Sequence, residues 1–232
     1  MIYFRGCVVR EKHPKIELAT KQILKKAGID YHILDNEECC GSFLLRTGFK
    51  DDALDVMRNT LKDLEGEEIL VSCAGCYKTL KNDYKESLGV ELDVIHTSQL
   101  FGELIKEKRL KPNKLSLKAC YHDPCHLGRH CGEYEAPREV LRSVAYLIEM
   151  ENIKENSHCC GAGGGVKSAY PEIALKLGQK RIEEALKTET DVLVTSCSFC
   201  LLNLDNSCEE MKSIKILKVM DLSEILLRAL NE

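Results

Sequence analysis

Cysteine is the residue type that carries the chemistry of this sequence. The chain has 232 residues and 13 cysteines, far more than packing requires. Ten of them form two sets with the same order: an isolated cysteine, an adjacent pair followed by glycine, and a C-x-x-C motif. The two sets are Cys7, Cys39, Cys40, Cys73 and Cys76, then Cys125, Cys159, Cys160, Cys197 and Cys200. Two copies of one five-thiolate pattern predict two metal sites of the same kind.

The number of thiolates favours iron–sulfur clusters over other metal sites. An odd number of cysteines argues against a closed disulfide framework, and in a reducing cytosol dense cysteines usually bind metal or do redox work. A lone C-x-x-C motif would be weak, because zinc sites and thioredoxin-like pairs also use it. Five thiolates exceed what tetrahedral zinc can use, and soft sulfur ligands in that number favour an iron–sulfur cluster.

The adjacent cysteines in each set need a special backbone. Neighbouring side chains diverge, so both can reach one site only through irregular backbone, which the following Gly41 or Gly161 permits. Such a pair could bind different metals of one cluster. The other three cysteines, Cys120, Cys131 and Cys208, have no counterparts in the repeat, and we expect them to be small buried hydrophobic residues.

A histidine-rich motif, Tyr121-His-Asp-Pro-Cys-His-Leu-Gly-Arg-His130, surrounds one of these cysteines. His122 and His126 are candidates to orient the loop, or to supply hydrogen bonds and protons beside a cofactor, because imidazole titrates near neutrality. A zinc site that combines these histidines with Cys125 is an open alternative.

Two further motifs are less specific. The run 161–165 is rich in glycine but lacks the strand–GxGxxG–helix context of a dinucleotide site, so we expect its backbone to pass close to the metal site. Arg129, Arg138 and Lys167 could contact an anionic substrate, although lone basic residues are usually solvated surface.

The elements that must position the cysteines alternate between strands and helices. Strands are predicted near 2–9, 31–34, 69–72, 92–96, 117–122, 146–150, 192–196 and 214–219. Helices are predicted at 14–27, 51–64, 137–144 and 169–186. This alternation predicts an α/β fold with small, mainly parallel sheets. Parallel sheets gather side chains at the carboxyl ends of their strands, where cysteines distant in sequence can converge.

The series of elements occurs twice, which predicts two duplicated halves, residues 1–112 and 113–232. Val71-Ser-Cys-Ala-Gly-Cys76 matches Thr195-Ser-Cys-Ser-Phe-Cys200, and both motifs follow an apolar strand. Pro112 and Asn113 break a charged helix end at the boundary, without a low-complexity linker. We therefore expect the halves to pack together, with their cysteine sites facing each other.

Composition excludes several classes of protein. Apolar residues make up 44% of the chain and charged residues 30%, as in soluble globular proteins. A net charge of −4 without a dense Lys/Arg tract argues against nucleic acid as a partner. No apolar run approaches about 18 residues, so we expect no membrane span, no secretion signal and a cytoplasmic location.

Taken together, the motifs resemble the cysteine-rich CCG domain family, which includes the catalytic D- and B-type subunits of heterodisulfide reductase. The matching segments are 121–130, Ala136-Pro-Arg-Glu-Val-Leu141 and Cys159-Cys-Gly-Ala-Gly-Gly-Gly165. The resemblance implies that each five-cysteine set binds a noncubane [4Fe–4S] cluster. It also implies an enzyme that reduces the mixed disulfide of coenzyme M and coenzyme B between the two clusters, with the ten cysteines forming the catalytic site.

The resemblance also bears on partners. D-type subunits carry a ferredoxin-like region, whereas this sequence shows no C-x-x-C-x-x-C-x-x-x-C-P run. We therefore expect electrons from a separate iron–sulfur (ferredoxin-like) or flavin-linked protein. Family members also serve glycolate, lactate and glycerol-3-phosphate oxidising enzymes and thiol:fumarate reductases, so a non-catalytic electron-transfer role is the alternative. A zinc-stabilised interaction module is the third.

Overall fold

The fold consists of two small parallel sheets with helices around them. A computed structural model describes residues 1–211 and 217–232. The first sheet has the order β1-β2-β3, with β1 Ile2–Phe4, β2 Glu68–Val71 and β3 Asp93–His96. The second has the order β5-β4-β6-β7, with β4 Lys118–His122, β5 Tyr146–Leu147, β6 Val192–Thr195 and β7 Lys218–Asp221. Every pairing is parallel, which confirms the predicted fold class.

Helices connect the strands and cover the sheets. In the first half they are α1 Cys7–Lys12, α2 Pro14–Ala27, α3 Ser42–Thr47, α4 Lys50–Leu64, α5 Ala74–Lys78, α6 Tyr84–Leu88 and α7 Thr97–Lys106. In the second half they are α8 Glu135–Val144, α9 Val166–Ala169, α10 Pro171–Leu186, α11 Ser198–Glu210 and α12 Leu222–Asn231. A π-helical turn, Thr79–Asp83, joins α5 to α6, and a 3₁₀ turn spans Lys154–Asn156.

The strand register shows that the two halves repeat one arrangement. Phe4 pairs with Val71 in the first sheet, and His122 pairs with Thr195 in the second. Because Val71 and Thr195 hold the same place before the C-x-x-C motifs, β2 corresponds to β6, and Phe4 to His122. The counterpart of β5 in the first half is one parallel bridge between Ile2 and His32.

Several predicted elements are shorter than expected. The strand predicted at 2–9 ends at Phe4, because Gly6 turns the chain at φ 77°, ψ 154° and Cys7 begins α1. The strand predicted at 31–34 is reduced to the bridge at His32. The strand predicted at 146–150 contains only Tyr146–Leu147.

The remaining differences lie at element ends. The helix predicted from 137 begins at Glu135, and the helix predicted at 169–186 is divided at Tyr170, where Pro171 starts α10 as its first residue. The strand predicted at 214–219 lies partly outside the described residues. Its described part belongs to β7, Lys218–Asp221.

The two halves share a hydrophobic core. Helix α2 packs against α12, and the corresponding pair, α8 and α7, packs in the same way. Tyr3 and Phe101 of the first half are buried in one cluster with Tyr121 and Leu226 of the second. Burying each such side chain stabilises the fold by about 1.5–3 kcal/mol, so the packing joins the halves firmly. Division of the chain at 112/113 stays a prediction.

Equivalent helix caps follow the last strand of each sheet. His96 begins α7 and Asp221 begins α12, and each accepts a hydrogen bond from the backbone N–H two residues later. Gln99 and Glu224 complete the two capping boxes. Among the residues that the structure describes, no helix is both long and apolar enough to span a membrane.

Candidate metal centre

All ten cysteines of the repeat line one cleft of about 830 Å³. The isolated and C-x-x-C cysteines follow the carboxyl ends of parallel strands: Cys7 follows β1, Cys73 follows β2, Cys125 follows β4 and Cys197 follows β6. The carboxyl ends of neighbouring parallel strands meet at one edge of a sheet, which brings these residues together. The cysteine pairs reach the same cleft from the loops before α3 and α9.

In the first set the adjacent cysteines face different partners. The Sγ atom of Cys39 lies 4.0 Å from that of Cys7, whereas the Sγ atom of Cys40 lies 3.4 Å from that of Cys76. Gly41 follows at φ 83°, a conformation that favours glycine. A Cβ atom on Gly41 would lie 2.8 Å from the Cγ atom of Met57 in α4. The glycine therefore lets the loop press against α4 while the two thiols diverge.

The second set divides in the same way. The thiol of Cys125 lies beside Cys159, and that of Cys160 beside Cys200. Hydrogen bonds from Cys125, Cys160 and the N–H of Gly161 lower the pKa of Cys159 to about 2. Donation to Cys159 raises the pKa of Cys160 to about 12. Gly161 has φ 88°, and a Cβ atom there would lie 2.7 Å from a backbone oxygen of α10.

The first set shows the same unequal sharing of protons. Hydrogen bonds from Cys40 and Cys7 lower the pKa of Cys39 to about 3, while both neighbours have raised pKa values. One thiol of each set is therefore ionised while burial and like charge keep its neighbours protonated. Metal binding would deprotonate the whole set and neutralise its charge, which fits a cofactor held by all five sulfurs.

The spacing of the sulfurs fits a group larger than one ion. Four thiolates around zinc at about 2.3 Å would lie about 3.8 Å apart. In the described part of the chain, only His122, Cys160 and Cys200 bring three such ligand atoms within 4.8 Å of one another. Each five-cysteine set is spread more widely than that, as the ligands of a multi-iron cluster would be. The combination of Cys125 with His126 and His130 does not form such a group.

The two sets meet at the bottom of the cleft. A hydrogen bond from the thiol of Cys197 lowers the pKa of Cys73 well below its ordinary value, so the first cysteines of the two C-x-x-C motifs are in contact. Both are buried, whereas Cys159 is exposed and Cys39 is partly exposed. The sites are therefore neighbours in one cleft, and each has a more open and a more buried side.

The two candidate histidines occupy different places. His126 lines the cleft, with its Nδ1 atom 3.6 Å from the position that a Cβ atom on Gly75 would take. It therefore extends from the second half over the C-x-x-C motif of the first. Burial, helped by the positive charge of Arg46, lowers its pKa to about 4. His122 is fully buried beside Cys160 and Cys200.

The basic residues considered for a substrate are engaged elsewhere. Arg138 is buried and makes a bidentate ion pair with Asp123, at 2.6 and 2.9 Å. Arg129 donates to backbone oxygens near the second cysteine pair, and Lys167 donates to Asn203 at 2.9 Å. None of the three lines the cleft. They serve packing and loop structure, which corrects the expectation of substrate contact.

Sequence reasoning missed two residues that the cleft uses. Arg46 lines the cleft wall and pairs with Asp83, which lies on the π-helical turn and also accepts from Lys78. Gly6 precedes Cys7, and a Cβ atom on it would lie 2.8 Å from the Sγ atom of Cys76. A glycine directly before a strand-end cysteine was a usable signal for Gly6. Nothing local in the sequence marked Arg46.

The cysteines outside the repeat do not line the cleft. Cys120 is buried in β4 and accepts a hydrogen bond from Thr190 at 3.2 Å. Cys131 and Cys208 are partly buried at other places. Their surroundings agree with ordinary packing roles.

Comparison with known proteins now identifies the family. The cysteine-rich domain family CCG matches residues 1–81 and 119–205. This chain belongs to the CCG family. The two matched segments of the CCG chain contain all ten cysteines of the repeat, which confirms the resemblance drawn from the motifs.

Curated relatives of this CCG chain belong to redox complexes. The D-type subunit of the dihydromethanophenazine:CoB–CoM heterodisulfide reductase of Methanosarcina barkeri is 39% identical, over 100% of this chain and 59% of its own length. The B-type subunit of the CoM/CoB fumarate reductase of Methanothermobacter marburgensis is 38% identical, over 97% of this chain and 45% of its own length. An uncharacterized iron–sulfur protein of Methanocaldococcus jannaschii is 35% identical, over 98% and 46%. The CCG chain thus spans about half the length of these relatives, and it is similar to iron–sulfur oxidoreductase subunits.

Proposed function

We propose that this chain reduces a disulfide at two [4Fe–4S] clusters of the noncubane type, and that the substrate is the heterodisulfide of coenzyme M and coenzyme B. The observation that carries the proposal is the position of both five-cysteine sets in one cleft. Reduction of a disulfide takes two electrons, and two neighbouring clusters, when bound, can each supply one. The relatives named as heterodisulfide reductase subunits support the same substrate.

The ten cysteines would hold the clusters as two separate sets. The first ligand set is Cys7, Cys39, Cys40, Cys73 and Cys76, and the second is Cys125, Cys159, Cys160, Cys197 and Cys200. The partly exposed thiols lie toward the opening of the cleft and the buried ones toward its base. A substrate entering the cleft would thus meet the open side of both sites.

The glycine-rich loop of the second half leaves room beside its site. Cβ atoms on Gly163 and Gly164 would meet nothing within 4 Å, so this wall borders open space. Gly165 closes the loop against the first half, because a Cβ atom there would lie 2.8 Å from a methyl carbon of Thr47. The loop therefore offers space for an extended substrate while it stays attached to the opposite wall.

Polar groups on the opposite wall would orient the substrate. Arg46 presents a guanidinium group to the cleft, and Asp83 fixes its direction. Guanidinium groups bind carboxylate, sulfonate and phosphate through paired hydrogen bonds, so Arg46 would contact an anionic end of the disulfide. His126 is the cleft imidazole, and its ring could hand a proton to a product thiolate.

A partner protein would supply the electrons. Relatives of this chain are named as subunits, and they are longer than the chain itself. We propose that an iron–sulfur (ferredoxin-like) or flavin-linked partner donates electrons to the clusters. The same relatives keep open a relay role, in which the clusters pass electrons to a partner and bind no disulfide.

Matched cysteine variants in the two halves test the proposal. Cys40→Ala and Cys160→Ala remove equivalent buried ligands, so each should lose one cluster and abolish reduction of the heterodisulfide. The EPR spectrum of the oxidised wild-type protein, recorded anaerobically, should change when the heterodisulfide is added. Retained turnover in either variant would contradict a two-cluster mechanism. An EPR spectrum that ignores the disulfide would favour the electron-relay role.

A further inference from the structure

The two cysteine sites differ in the residue that lies behind them at the end of the central strand. The register of the sheets makes Phe4 of β1 the counterpart of His122 of β4. Both side chains are fully buried. A ring nitrogen of His122 and the Sγ atoms of Cys160 and Cys200 all lie within 4.8 Å of one another, whereas Phe4 offers only carbon to the first site. The repeat is therefore broken at a position in contact with the metal ligands.

The helix behind each site is different as well. The glycine after each cysteine pair packs on an alanine of the following long helix, Ala53 in α4 and Ala174 in α10. The same offset along the two helices makes Thr60 the counterpart of Arg181. Thr60 donates to the backbone oxygen of Cys39 at 2.9 Å and stays neutral. Arg181 brings a buried charge to the same place in the second half.

Arg181 connects His122 to a polar network. Its Nε atom donates to the Nδ1 atom of His122 at 3.2 Å, and its Nη1 atom donates to Glu184 at 2.7 Å and to the backbone oxygen of Asn152 at 2.9 Å. Glu184 also pairs with the partly exposed His158 at 3.2 Å. The carboxylate thus lies on the side of the guanidinium away from the imidazole, which leaves the positive end of the network toward the cysteines.

The contact with Arg181 fixes the tautomer of His122. A guanidinium group can only donate hydrogen bonds, so the Nδ1 atom of His122 must accept. The imidazole proton then lies on Nε2, the ring nitrogen that remains free to donate to a sulfur atom. Outer contacts of this kind fix the orientation of an imidazole beside a metal site.

We propose that His122, held by Arg181, donates a hydrogen bond to the sulfur ligands of the second site and makes that site easier to reduce than the first. The proposal rests on the proposed function, because it requires a cluster in each half. A reduced cluster carries one more negative charge, and hydrogen bonds to its sulfurs stabilise that charge and raise the reduction potential. Phe4 and Thr60 give the first site no such donor. Electrons that reach the cleft therefore collect first on the second site.

Replacing His122 with the residue of the first half tests the proposal. We expect His122→Phe to lower the higher of the two midpoint potentials and to leave the lower one unchanged, in an anaerobic redox titration followed by EPR. Loss of one hydrogen bond to a charged group should change the ratio of reduced to oxidised cluster about tenfold, which for a one-electron couple is about 59 mV. His122→Gln keeps an N–H donor and should restore most of the potential. Phe4→Leu is the matched packing control and should shift neither midpoint.

Iron and acid-labile sulfide, measured in every variant, separate the outcomes. Full iron content with unchanged midpoints in His122→Phe overturns the hydrogen-bond role and leaves the proposed function intact. So does an equal shift in His122→Gln and His122→Phe. Loss of half the iron in both variants makes His122 a ligand instead of a donor, which also overturns the proposal. Wild-type protein without iron would overturn the proposed function together with this inference.

Discussion

Substitution of Gly6 is the most direct test of how closely the backbone approaches the first site. Gly6 has φ 77° and ψ 154°, a conformation that is nearly confined to glycine and costs another residue about 1–3 kcal/mol. Its backbone N–H donates to the carboxylate of Glu37 at 2.9 Å, and the N–H of Arg5 donates to the same carboxylate. These contacts hold the turn, so an alanine cannot relax it without losing hydrogen bonds to a buried acid.

The added methyl group would also meet a candidate ligand. The Cβ atom of an alanine at position 6 would lie 2.8 Å from the Sγ atom of Cys76, closer than carbon and sulfur can approach. Overpacking of this kind typically costs about 1–3 kcal/mol. Together with the backbone term, Gly6→Ala should therefore lower the free energy of unfolding by about 2–6 kcal/mol, or displace Cys76 and release the first cluster.

Two measurements distinguish these effects. Iron and sulfide per chain should fall toward half in Gly6→Ala, while urea unfolding reports the loss of stability. Gly28→Ala is the matched control, because Gly28 has φ 64° but a Cβ atom there would meet nothing within 4 Å. It should cost about 1–2 kcal/mol and keep all the iron. A Gly6→Ala protein that matched the control in both measurements would refute the close approach to Cys76.

Two more predictions concern charged residues. Burial raises the pKa of Asp221 to about 7, so the folded chain keeps a proton that the unfolded chain releases, and stability falls as pH rises from about 4 to about 7. Asp221→Asn should therefore match wild type near pH 4 and exceed it above pH 7 by up to about 4 kcal/mol in urea unfolding, whereas a pH-independent difference, as expected for the exposed Asp52→Asn, would contradict this. Arg46→Gln should raise the KM for the anionic disulfide about tenfold with little change in kcat, because one charge-assisted hydrogen bond is lost. Arg58→Gln, on the exposed face of α4, is the control, and an unchanged KM in Arg46→Gln would exclude the substrate contact.

The repeat of the cysteines made the fold and the candidate site predictable. Parallel strands bring their carboxyl ends to one edge, so strand-end cysteines had to converge once the β/α alternation was recognised. The division of each adjacent pair between two partners also followed from local geometry, because neighbouring side chains diverge and the following Gly41 or Gly161 allows the bend.

Features that depend on tertiary packing could not be predicted from the sequence. Arg46 reaches the cleft because Asp83, 37 residues later in the chain, fixes its guanidinium group from the π-helical turn. The burial of Arg138 with Asp123 turned an expected surface charge into a core ion pair. Strand ends were overestimated at Gly6 because an apolar run continued past the turn into α1.

Anaerobic analysis of iron, acid-labile sulfide and zinc per chain tests the central claim most directly. Two four-iron sites predict about eight irons and about eight sulfides for each polypeptide, with no zinc. About four of each would mean that only one half binds a cluster. Zinc without sulfide would contradict the account and leave a structural metal protein.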